Sequence, residues 1–124
     1  MIACARRPAR EGGTLTEQGH PRTIFRRAVE RGNLLAAETL LRELGRPTLL
    51  ELLDLTALIA FKAPHRHARV AARWLLRWLE QHDDATIDDA ALAAACLAAL
   101  GGRRHEHALA TLRVLAEPVV RTGA

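Results

Sequence analysis

Apolar residues recur along this chain at the three- and four-residue spacing of a helix face, from Ile24 to Leu115, and turn residues cut the pattern into six pieces. Pro21 opens the first, which runs to about Arg31 with Ile24, Phe25, Ala28 and Val29 as its stripe. Gly32-Asn33 breaks it. Asn33 is a side-chain cap for a second helix, Leu34 to Leu44, with the stripe Ala37, Leu40, Leu41 and Leu44. Gly45 supplies a left-handed stop. After Arg46-Pro47, Thr48 and Glu51 form a capping box at the head of a third helix. Leu49, Leu53, Leu55, Leu58, Ile59 and Phe61 leave that helix apolar nearly all round, the mark of a central element.

Lys62-Ala63-Pro64 is a tight link into a fourth helix that ends near Gln81. Val70, Trp74 and Trp78 form one of its rows, and Ala71, Leu75 and Leu79 the next. Thr86 and Asp89 make a second capping box, with Asp in the usual place of Glu, ahead of an alanine-rich fifth helix from about Ile87 to Leu100. Gly101-Gly102 stops it. A sixth helix spans about Arg104 to Ala116, before Pro118.

Six helices with short links predict an all-α fold of three antiparallel hairpins, in a compact bundle or a short helical-repeat-like array. Asn33 to Gly45 also aligns with Asp89 to Gly101, each a polar cap followed by a helix ending in Leu-Gly, which suggests stacked hairpins. Residues 1–20 mix Arg, Gly, Pro and Thr with no apolar period and read as a disordered arm. Residues 21–117 read as a single domain and 118–124 as a short tail.

Composition strengthens the helical reading. Of 124 residues, 49% are hydrophobic, and Leu and Ala dominate them. The pI near 10.4 invites a nucleic-acid role, but the charge is spread. Residues 1–22 hold Arg6, Arg7, Arg10 and Arg22 against Glu11 and Glu17, leaving 14 of the 18 basic and 12 of the 14 acidic side chains to the rest. Cys4 and Cys96 have no spacing that suggests a disulfide framework or a zinc site, so a cytoplasmic setting is expected. No signal peptide or membrane span is expected.

The stretches Arg27-Ala28-Val29-Glu30-Arg31-Gly32-Asn33-Leu34-Leu35 and Arg73-Trp74-Leu75-Leu76-Arg77-Trp78-Leu79 resemble uncharacterised actinobacterial small all-helical proteins. The likeness covers about residues 22–117 and implies a bacterial, cytoplasmic setting. The hairpin pattern has a distant tetratricopeptide- or HEAT-like character, although no repeat consensus is met.

Catalytic parts are scarce. The chain has no Ser and no Tyr, and its one Lys follows Phe61, outside any phosphate loop. No catalytic residue, metal or cofactor is expected. His65-x-His67 and His105-x-His107 have the wrong spacing for one metal, because residues two apart on a helix point about 200° apart. They read as solvated helix ends. Cys96 lies mid-helix among Ala and Leu and reads as a core thiol. Ala28 and Gly32 have a helix-turn-helix spacing, but Leu34, Leu35 and Ala36 offer little to read bases with.

Arg66, Arg69, Arg73 and Arg77 form one stripe of the fourth helix. It suits phosphates or an acidic peptide; the favoured alternative is local pairing, with Asp54 near Arg73 and Glu51 near Arg77 across the antiparallel third helix, leaving Arg66 and Arg69 freer. Trp74 and Trp78 are candidate contact residues whose spacing also suits burial. The expected function is a non-catalytic helical module that binds another protein or a second copy of itself. The alternative is a nucleic-acid-associated regulator using the Arg stripe and the basic arm.

Overall fold

The computed structural model describes residues 20–117, and every element in that span is a helix. They are α1 (Pro21–Glu30), α2 (Leu34–Leu44), α3 (Leu49–Lys62), α4 (Pro64–Gln81), α5 (Ile87–Ala99) and α6 (His105–Ala116). The three hairpins form as expected: α1 packs on α2, α3 on α4, and α5 on α6. Within the 21–117 span the helices group into two compact units that divide after Arg46. The arm at 1–19 and the tail at 118–124 lie outside the described residues.

In the first unit, local chemistry sets each helix end. His20 Nδ1 accepts the Arg22 N–H at 3.2 Å and caps α1. Gly32, at φ 71°, ends it. There the Gly32 N–H donates to the Val29 carbonyl and the Asn33 N–H to the Ala28 carbonyl, each at 2.9 Å, which is a Schellman closure. Asn33 Oδ1 then accepts from Ala36 N–H at 3.1 Å to start α2. Gly45 has the positive φ expected of a stop, 79°, but its ψ of −45° makes a tighter γ-turn in which Arg46 N–H donates to Leu44 O at 2.8 Å. The Arg22 guanidinium donates to Arg46 O at 3.2 Å and ties the two ends of the hairpin.

The second unit is a four-helix bundle. α4 packs on α3 and α5, and α6 packs on α5 and α3, so each helix has two neighbours and the ring closes. Both capping boxes form: Thr48 Oγ1 takes Glu51 N–H at 3.1 Å, and Thr86 Oγ1 takes Asp89 N–H at the same distance. Leu53, Trp74, Trp78, Leu97 and Leu112 meet at the centre. Burying a side chain of this kind contributes about 1.5–3 kcal/mol each. The alignment of Asn33–Gly45 with Asp89–Gly101 does not survive. Asn33 is an N-cap, whereas Asp89 is the third residue of α5. Gly45 has positive φ, whereas α5 closes on Leu100 at φ −62°.

Candidate interaction face

Helix α4 has an inward face and an outward face, and the candidate residues divide between them. Trp74 and Trp78 are each 2% exposed. Their indole N–H groups donate to main-chain carbonyls, Trp74 to Leu49 at 2.9 Å and Trp78 to Leu115 at 2.8 Å. A buried indole N–H needs such a partner. The contact role considered for these two rings is therefore replaced by a structural one: they bind α4 to the head of α3 and the end of α6.

The expected pairing of the Arg stripe is also corrected. Asp54 does not lie against Arg73; it accepts from Arg113 of α6 at 2.6 Å. Phe61, two turns further along α3, packs edge-on against His105 at the head of α6, with ring centroids 4.9 Å apart. This side of α3 thus looks toward α6. Glu51 spends one carboxylate oxygen on the Thr48 N–H at 2.9 Å, closing its capping box. Arg66 is half-buried and engaged. Arg69, Arg73 and Arg77 are exposed, and among the described residues no ion pair or hydrogen bond holds them.

The histidines are not all solvated ends. His65 and His107 are exposed, but His67 and His105 are half-buried. His67 Nε2 lies 2.7 Å from the Leu97 carbonyl, in the last turn of α5. A carbonyl only accepts, so this nitrogen carries the proton and donates. It adds a second donor to a carbonyl that already accepts from the Leu100 N–H at 3.2 Å in the last turn of the helix. The other ring nitrogen, Nδ1, is buried with no partner. His82 stacks on Trp78 at 5.2 Å and sets Nδ1 3.1 Å from Trp78 O and Nε2 3.4 Å from Glu117 O. A neutral ring donates to one of these carbonyls and an imidazolium to both. Cys96, read as a core thiol, is half-buried at the edge of the core.

The feature the sequence pattern did not reveal is the outer side of the α4–α5 hairpin. Leu76 is 58% exposed, Leu79 37% and Ile87 87%. The same two helices hold an open apolar groove of about 390 Å³ between them, lined by Ala68, Ala71, Ala72 and Leu75 of α4 and by Ala94, Leu97 and Ala98 of α5, with His67 at its head. Alanines at these positions leave space above both backbones. The row Ala71, Leu75, Leu79 therefore runs from buried to exposed along α4. The signal for this was available: Leu76 lies among arginines on a helix whose core row was already complete, and Ile87 stands at a helix start ahead of two acids.

Among the described residues no group of three or more His, Cys, Asp or Glu side chains is placed to hold a metal ion. None of the described helices is long and apolar enough to cross a membrane. Compared with known proteins, the chain matches no family model, no curated protein and no solved structure.

Proposed function

We propose that this chain is a helical protein-interaction module that acts by docking rather than by catalysis, through the outer face of the α4–α5 hairpin. The observation that carries the reading is the alanine-lined groove between α4 and α5, with Leu76, Leu79 and Ile87 exposed on the same two helices. Contiguous apolar surface is costly in water and marks binding sites on soluble proteins. Arg69 and Arg73 flank this face and suit a partner with an acidic rim. The free Cys96 thiol fits a reducing, cytoplasmic setting.

Affinity capture from the host with the full chain as bait tests this, with Leu76→Glu as control. Position 76 is open to solvent, so the substitution leaves the helix content unchanged. A specific protein retained by the native chain and lost at least tenfold with Leu76→Glu is the expected result. Equal retention by both baits contradicts it.

A second reading rests on its own observation, the unpaired and exposed Arg69, Arg73 and Arg77. A turn of helix rises about 5.4 Å, so these cations form a row that phosphates can follow. In that reading the chain is a nucleic-acid-associated regulator, with the basic arm assisting. Retention on DNA or RNA that falls steeply with salt, and is weakened by Arg69→Glu with Arg73→Glu, supports it. Absence of retention at low salt removes it.

A further inference from the structure

The outer face of the α4–α5 hairpin is lopsided in both shape and charge. Its two helices run antiparallel, so one end of the hairpin holds the α4–α5 loop. The other holds the start of α4 and the end of α5, brought together by the His67–Leu97 contact. The large exposed side chains Leu76, Leu79 and Ile87 belong to the loop half. The groove belongs mainly to the other half, where Ala68, Ala71 and Ala72 face Ala94, Leu97 and Ala98. Protrusions thus occupy one half and a recess the other.

Charge follows the same division. Glu80, Asp83, Asp84 and Asp88 are exposed in the loop half, where Arg77 is the opposing exposed cation. Arg69, Arg103 and Arg104 are exposed at the opposite end, against the single exposed acid Glu106. Some of the acid has a local use, since Asp88 lies in the first turn of α5, where negative charge is favourable. Asp83 and Glu80 lie at the C-terminal end of α4, where that benefit is absent.

We infer that this face binds a second copy of the chain about a twofold axis, with the two α4 helices antiparallel. This rests on the interaction-module reading and names its partner. A twofold operation sets the loop half of each copy on the recessed half of the other, so every contact occurs twice. Leu79 of one copy enters the groove over Ala72 of the second copy. In that register the turn that follows α4 at Gln81, which carries Asp83, lies toward the end of the second copy that carries Arg69. A parallel arrangement sets protrusion on protrusion and acid on acid. Shape and charge therefore select the same orientation independently. A face about 27 Å long and two helices wide offers on the order of 500 Å² per copy, near the lower edge of specific interfaces. The association is accordingly a reversible, concentration-dependent equilibrium.

Sedimentation of the full chain over a wide concentration range tests the proposal, with helicity followed by circular dichroism. The native chain is expected to pass from monomer to dimer as concentration rises. Ile87→Glu removes a protrusion at a helix start that tolerates acid, and Ala98→Leu fills the recess with a good helix former. Each is expected to raise the dimer dissociation constant at least tenfold with helicity unchanged. Asp83→Arg and Arg69→Glu are each expected to weaken the dimer, and the two in one chain to restore it. A chain monomeric at every concentration overturns the proposal. So does a dimer indifferent to Ile87→Glu and Ala98→Leu, or a double charge reversal that fails to recover association. A monomeric chain that still captures a host protein through Leu76 overturns the twofold dimer and leaves the module reading intact.

Discussion

The two faces of α4 obey different rules. Inward, Trp74 and Trp78 are buried, and each indole N–H is bonded to a carbonyl of another helix. Outward, Leu76 and Leu79 are exposed on a helix that also lines a groove, and Arg69, Arg73 and Arg77 have no carboxylate partner among the described residues. The inward face is therefore satisfied within the single chain, and the outward face is the one proposed to bind. Substitutions on the two faces should separate stability from association.

The largest effect belongs to the inward face. Trp74→Ala removes a buried ring and strands the Leu49 carbonyl's extra contact, and should cost about 3–5 kcal/mol in denaturant unfolding. Trp78→Phe keeps most of the apolar volume but loses the bond to Leu115 O, so a smaller loss of about 1–2 kcal/mol is expected from the same measurement. Thr86→Ala removes the hydroxyl that caps α5 and should lower stability by about 1 kcal/mol, read as a drop in the thermal midpoint. The smallest effect belongs to the outward face. Ile87→Glu and Leu76→Glu should change unfolding free energy by no more than about 0.5 kcal/mol. If Leu76→Glu instead destabilises as strongly as Trp78→Phe, the outer face is part of the folded core and the contrast between the two faces fails.

Much of this was legible because helix ends are local. The capping boxes at Thr48 and Thr86, the Asn33 cap and the Gly32 break each depend on residues within a turn of one another. The three hairpins follow from short links. What could not be read depends on which helices become neighbours after the links are made. Asp54 was assigned to Arg73 because α3 and α4 are adjacent in sequence, but α3 has a second neighbour in α6, and Arg113 reaches Asp54 from there. His67 finds the Leu97 carbonyl thirty residues away, across the antiparallel α4–α5 pair, a contact set by how the two helices pack and not by local sequence.

The outer face was missed on different grounds. Leucine and alanine at helical spacing read equally well as core, and periodicity alone does not separate the inner row from one too many. Ala71, Trp74 and Trp78 already fill the inward side of α4, so Leu76 and Leu79 had no core position left. Closure of the ring by α3 and α6 turns them to solvent.

Residue-resolved NMR of the isotopically labelled full chain, recorded with its binder saturating (a second copy at high concentration, or the captured protein), is the most direct test of the outward face. The account predicts perturbed amides at Ala68, Ala72, Leu76, Leu79, Ile87 and Ala98, with those of Leu53 and Leu112 unmoved. Perturbations centred on α3 and α6, with the α4–α5 amides silent, would contradict it.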